Sequence, residues 1–599
     1  MLKTHSFHIP VMGIGFTIDS PLKVSRFGID SVISLVDDIL LEKIRKMYAL
    51  KFKMPYDEIT EKMEDFRAKR VTSYLNLMKT LSEDKFEEFK KNITQTKQDI
   101  TDFFEELPDS SSLKQEFKNL TATSFDLKNT TTWLKENLSM GQIDVNIMTK
   151  VDKDNYIKDE KLPIEYNDAH AALRGFANSD VNSSVVFSAG MNPKLYAYLE
   201  KFKGFYPDEN GHINKKIILK VSDYRSALIQ GKFLAKKGIW VSEYRIESGL
   251  NCGGHAFATD GYLLGPVLEE FKNKRDELQE SIQTLLFSAL EKKEYVVSKT
   301  NLQFKISAQG GVGTADEHQF LLDYYKVDSV GWGTPFLLVP EATTVDTETL
   351  NKLISAKEKD VYLSDISPLG VPFHNLKGNT KDLEKESFIN KGRPGSACPK
   401  KFIGLNKEFT EKGICTASRQ FQHLKIKQLD SEVLSKEAYD IKYQKIIAKS
   451  CTCVGLGTSA LLAYDLDTKT EGTGVSVCPG PNIAYFSKKM RLNELTKAIY
   501  GESENITSAD RPNLFIKELS IYIDYLKNKL EETTIDATPK EIKYLKIFAS
   551  NLKEGLAYYQ QLFSNQYKKA IENSPTVLSD LERSSKTLNR LNIAIEKLS

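Results

Sequence analysis

Two glycine-rich turns and a histidine behind paired glycines carry the chemistry that can be read in this chain. AQGGVGT spans Ala308–Thr314 and GWGT spans Gly331–Thr334. Gly310 and Gly311 have no side chains, so backbone N–H groups can approach a phosphate closely. A helix beginning near Thr314 would add its positive end. Gly333 and Thr334 would complete the cradle with an amide and a hydroxyl. The third signal, NCGGHAFAT at Asn251–Thr259, sets His255 behind Gly253 and Gly254. Imidazole titrates near neutrality, which suits removal of a proton from an activated carbon. Two polar side chains interrupt apolar runs. Asn146 lies within DVNIMTK and faces either a cofactor ring or a backbone gap. Lys220 ends IILKV, where it meets either solvent or the anionic edge or phosphate of a cofactor.

These groups need strands to hold them. Apolar, β-branched segments bounded by turn residues occur at Val11–Gly15, Val32–Val36, Val145–Met148, Val185–Ser188, Ile217–Val221, Ile239–Ser242, Phe304–Ser307 and Ser329–Gly331. Most are apolar at consecutive positions, as in parallel strands covered on both faces. Helical patterns fall between several of them; in Pro266–Lys293, Val267, Phe271, Leu278 and Ile282 recur near helical spacing. An open doubly wound sheet places its phosphate turn after the first strand. Here the turns come last, and a barrel commonly binds phosphate after its seventh and eighth strands. The expected fold class is therefore α/β: a TIM (β/α)8 barrel with a helical insertion, a Cys-containing extension and a C-terminal helical region.

The barrel should occupy residues 1–345, interrupted at 40–140 by a charged helical insertion. That insertion is either a solvated excursion, a lid or an oligomer contact. Residues 346–490 form the Gly-, Pro- and Cys-containing extension, and residues 491–599 the helical region. Within the latter, Thr538 with Pro539 reads as an N-terminal cap. Ile542, Leu545, Ala549, Leu552, Leu556 and Tyr559 follow at steps of three and four, which predicts a hairpin or small bundle.

Apolar residues make up 40% and charged residues 27% of 599, with a formal charge of +2. Near-neutrality without a basic block argues against nucleic acid or an anionic membrane as partner. No run approaches the ~20 apolar residues of a bilayer span, and the N-terminus lacks a signal-peptide pattern. The expectation is a cytoplasmic protein acting on a small-molecule substrate. Five of the six cysteines, Cys398, Cys415, Cys451, Cys453 and Cys478, fall in the extension. They are either metal ligands, as in an iron–sulfur cluster, or plain buried thiols.

In their order along the chain these motifs resemble the nitronate monooxygenase (2-nitropropane dioxygenase) family of FMN barrels, which includes related flavin-dependent enoyl-acyl-carrier reductases. PVMGIGFTIDSPLKVSRFG at Pro10–Gly28 is similar to the family's opening strand and turn, placing Met12 and Gly13 beside the flavin. Asn146 and Lys220 match its third- and fifth-strand positions. NCGGH is similar to its Glu-Ala-Gly-Gly-His signature, with Asn251 and Cys252 as departures. The resemblance implies that His255 abstracts a proton, with Gly253 and Gly254 beside the cofactor. It also implies that Gly310, Gly311, Gly333 and Thr334 hold the FMN phosphate. SPLGVPF at Ser367–Phe373 is similar to a segment beyond the barrel, and the extension cysteines are loosely similar to a cysteine-rich segment in some members. The implied activity is oxidation of a small activated substrate such as an alkyl nitronate, with oxygen, a quinone or NAD(P)H as redox partner. An NAD(P)H-dependent enoyl thioester or quinone reductase and a non-catalytic flavin-binding scaffold are the alternatives.

Overall fold

The computed structural model describes residues 4–122, 124–188, 190–253, 260–295, 302–533, 538–573 and 576–598. Eight parallel strands close into a barrel in sequence order. They are β1 Phe7–Ile9, β2 Asp30–Ser34, β3 Ile143–Met148, β4 Ser184–Ser188, β5 Lys216–Val221, β6 Glu243–Glu247, β7 Lys305–Gln309 and β8 Ser329–Gly331. β8 pairs back onto β1 through Phe7 with Val330 and His8 with Gly331. The TIM barrel is thus the fold, with helices outside it.

Two expected strands are displaced, each for a physical reason. Val11–Gly15 forms the turn above β1, because Pro10 has no N–H to continue the ladder. Ile239–Ser242 leads into β6, whose own sequence is EYRIE. Successive side chains of a strand point to opposite faces. Tyr244 and Ile246 face the surrounding helices, with Tyr244 edge-on to Phe304. Glu243, Arg245 and Glu247 therefore turn into the barrel. The interior is polar at this point, so apolar runs did not mark the strand. Val32, Val186 and Ile218 form a small apolar cluster separate from the main core, with Ile218 in register with Glu243 on the neighbouring strand.

Between β2 and β3 lie helices Asp38–Lys51, Phe66–Ile93, Lys97–Glu106, Ser112–Thr121 and Leu127–Asn137. The last three close over a satellite core of Phe86, Ile100, Phe104, Leu107, Leu113, Phe117, Leu134 and Leu138. Phe104 and Phe117 stack at 3.8 Å in it. The chain after β8 adds an antiparallel hairpin, Val361–Ser364 with Phe373–Leu376. It also adds an uncharged, largely buried helix, Thr452–Ala463, and three C-terminal helices: Leu514–Thr533, Pro539–Asn565 and Val577–Glu596. Thr538 caps the middle one in a reciprocal box with Glu541. One hydrophobic core runs through barrel, extension and C-terminal helices. Among the described residues, no single helix is long and apolar enough to cross a membrane.

Candidate active site at the barrel mouth

The C-terminal ends of β5, β6 and β7 meet in a buried polar network, and Asn146 is buried on β3. Lys220 Nζ of β5 lies 2.7 Å from Glu247 Oε1 of β6. That oxygen also accepts from Asn251 Nδ2 at 2.7 Å and from Gln309 Nε2 at 2.6 Å. Asn251 and Gln309 contact one another in turn. Asn146 Oδ1 and Gln309 Oε1 are buried without a hydrogen-bond partner among the described residues. A buried acceptor left unmade costs about 1–3 kcal/mol. Both oxygens therefore favour a donor-bearing ligand.

Deeper in the barrel, Glu243 accepts from Arg245 and from Ser307 Oγ. Burial acts to raise its pKa, but Arg245 and His8 outweigh this and hold it at about 2. Asp144 is raised to about 7 by burial and by the nearby charge of Asp30. The barrel floor thus holds one firmly charged carboxyl and one that titrates near neutrality.

At the two late turns the chain supplies its own occupants. Gly310 and Gly311 have φ of 104° and 86°. A Cβ on Gly310 would fall 3.0 Å from Asn251 N, and one on Gly311 would fall 2.5 Å from Leu250 Cδ1. Glycine is therefore required here by packing against the β6 loop. Thr314 caps the helix Ala315–Asp323, as expected, but the Glu317 carboxylate sits at that helix start. It accepts from Gly313 N at 2.9 Å and is doubly bound by Arg511. Thr334 Oγ1 donates to Pro479 O at 2.7 Å. Gly311 O accepts from Asn482 Nδ2 at 2.5 Å and from Arg511 Nη2 at 2.6 Å. Gly253 N donates to Cys478 O at 2.9 Å.

The segment Cys478–Asn482 consequently lies over the cradle. The ring end of the mouth fits a flavin, because Gln309 keeps an unused acceptor there beside the Lys220–Glu247 pair. At the phosphate end the Thr334 hydroxyl donates to Pro479 O, so a phosphate would have to displace the Cys478–Asn482 segment there.

The remaining expected residues divide clearly. Met12 is fully buried. Its Sδ would lie 3.7 Å from a Cβ on Gly333. Gly13 and Gly15 pack on Leu456, whose carbonyl accepts from Gly15 N at 2.8 Å. Gly254 and His255 lie outside the described residues. Cys398, Cys415, Cys451 and Cys453 come together, whereas Cys478 stands at the mouth beside Cys252.

Several site residues escaped sequence reasoning. Glu247 was hidden by the displacement of its strand, although Gln309 lies inside the AQGG turn itself. Arg511, Asn482, His374 and Glu518 lie between 125 and 270 residues from their partners and carry no local signal. His374 Nε2 is 2.9 Å from Gly249 O. The Glu518 carboxylate accepts from Ser248 Oγ at 2.8 Å, Leu264 N at 2.9 Å and Tyr559 OH at 3.1 Å. One buried carboxylate from the C-terminal helices thus joins the two flanks of the segment that contains His255.

No family model matches this chain. No curated protein matches it either. Among solved structures it is similar to the enoyl reductase domain of MlnA from the macrolactin biosynthesis cluster of Bacillus amyloliquefaciens. That match has 16% identity and a TM-score of 0.32, covering 68% of this chain and 89% of the other. FabK from Thermotoga maritima is 13% identical with a TM-score of 0.30, covering 63% and 80%. Nitroalkane oxidase from Streptomyces ansochromogenes is 10% identical with a TM-score of 0.32, covering 83% and 96%. At these values the likeness assigns no activity.

Proposed function

We propose that this chain is an FMN-dependent oxidoreductase of nitronate monooxygenase type, with its flavin at the barrel mouth. The observation that carries the reading is the orphaned Gln309 Oε1 beside the Lys220–Glu247 ion pair, with a second orphaned oxygen, Asn146 Oδ1, on β3. The flavin, when bound, supplies the electron-accepting chemistry. Asn146 and Gln309 would accept hydrogen bonds from a bound ring. Lys220 would offer positive charge to the bound ring as it gains electrons, and Glu247 holds that ammonium in place. Met12 and Leu250, both fully buried, pack near Gly333 and Gly311 of the two late turns.

His255 enters this reading through the NCGGH resemblance, as the base that removes a proton from the substrate. His255→Ala should abolish turnover while sparing FMN binding. Oxygen uptake driven by an alkyl nitronate tests the reaction directly. Rapid anaerobic bleaching of the flavin by NAD(P)H, without nitronate turnover, would instead select the enoyl thioester or quinone reductase.

A further inference from the structure

The end of the barrel opposite the mouth holds a cavity of about 590 Å³. His5 stands just before β1, and Arg26, Phe27 and Ile29 stand just before β2, so these strands present their N-terminal ends to it. Two helices of the insertion, Phe66–Ile93 and Lys97–Glu106, form a second wall. The helix Leu492–Ile499, beyond the extension, forms a third. Three distant parts of the chain thus enclose one space. Its volume lies within the range of about 300–1,000 Å³ typical of sites for small organic ligands.

Much of the lining is aromatic. Phe27 meets Phe89 edge-on at 5.5 Å, and Phe89 meets Phe103 edge-on at 5.7 Å. Phe89, Ile93 and Phe103 belong to the fringe of the satellite core under the insertion, where each is only partly buried. Covering such rings is favourable, and a further ring would extend their edge-to-face row.

The ionisable groups of the lining are spent, with one exception. Lys23 Nζ donates to Thr343 O and Thr344 Oγ1 and lies 3.3 Å from Asp19. His5 bonds Tyr500 OH and Phe27 O. Glu341 accepts from Leu492 N, and Glu106 accepts from Asn493 Nδ2. Asp99 accepts from Thr96, and Asp102 accepts from Gln98. Arg26 alone makes no ion pair and no hydrogen bond among the described residues, and its Nε is buried without a partner. Its guanidinium carbon lies over the Phe27 ring, 4.7 Å from the centroid. That stacking occupies a face of the guanidinium and leaves its N–H edge for a planar, bidentate acceptor.

An unpaired guanidinium in an aromatic cavity selects a carboxylate carried on an apolar body. We propose that this cavity binds an aryl carboxylate, with the carboxylate on Arg26 and the ring against Phe27, Phe89 and Phe103. None of the lining residues belongs to the mouth, so the site is independent of the flavin. A ligand that touches all three walls ties the insertion to the barrel and stabilises the fold.

The test is equilibrium binding of naphthylacetate to the purified full chain, with and without FMN, followed by thermal denaturation. Saturable binding that raises the melting temperature, equally in both conditions, is expected. Naphthylethanol keeps the rings but lacks the charge, and should bind about tenfold more weakly. Arg26→Gln should bring naphthylacetate down to the affinity of the alcohol. If that variant does not fold, hydrogen exchange in the parent decides: naphthylacetate should slow exchange at Ser25–Phe27 and in the helix Lys97–Glu106. Failure to saturate the parent, equal affinity for the alcohol, unchanged binding by Arg26→Gln, or unchanged exchange at those segments would overturn the proposal. Displacement of naphthylacetate by FMN would place the ligand at the mouth and overturn it as well.

Discussion

The Lys220 ammonium and the Glu247 carboxylate meet at 2.7 Å on neighbouring strands, each with less than a tenth of its side chain exposed. Removing one member of a buried pair leaves the other charged without compensation, at a cost of about 3 kcal/mol. Lys220→Met should lower the urea midpoint accordingly. Adding Glu247→Gln to the same chain should recover most of the loss. Neither variant should regain FMN affinity, because the cation that faces the ring is gone from both. A double variant that bound FMN as the parent does would place the flavin elsewhere.

Asn482 should act on stability and on cofactor binding in opposite directions. Its Nδ2 donates to Gly311 O, in the segment that covers the phosphate turn. Asn482→Ala removes that bond and should cost about 1 kcal/mol in the protein without flavin. The same change frees the turn, so titration with FMN should show several-fold tighter binding. Weaker binding would mean that Asn482 supports the cofactor instead of competing with it.

Glu518 should write its own signature in the pH dependence of stability. Burial raises its carboxyl to about 7 in the fold from an ordinary value of 4.5. Between those values the unfolded chain has released a proton that the folded chain retains. Its contribution is therefore full below ~4.5 and is lost as pH rises through ~7, by about 3 kcal/mol in all. Asp144, raised to about 7, acts in the same direction. His5 and His374, lowered by burial to about 4, and His318, lowered to about 3, act oppositely as pH falls below 6.5. The useful quantity is thus the difference between Glu518→Gln and the parent. Thermal denaturation across pH 4.5 to 7 should show the variant gaining relative stability as pH rises. A constant difference would refute the shifted carboxyl.

Legibility in the sequence followed locality. β8 and the Thr538 cap were readable because each is set by a few adjacent residues. β6 was not, because Glu243, Arg245 and Glu247 turn inward and give a polar strand where buried parallel strands are apolar. The Gly310–Gly311 turn was found, but its partners were not. Arg511 and Asn482 reach it only through tertiary folding, and no spacing in the chain announces a capping side chain two hundred residues away. Cys478 shared a composition with the other extension cysteines, but backbone pairing separated it from them.

The claim on which the account rests is that a flavin mononucleotide binds at the Asn146, Lys220 and Gln309 end of the barrel. The most direct measurement is the visible spectrum of the purified chain, before and after incubation with FMN and gel filtration. The account predicts bands near ~370 and ~450 nm that persist through the column, release of the mononucleotide on denaturation, and loss of both in Lys220→Met. A colourless protein that leaves the column without added FMN would contradict it.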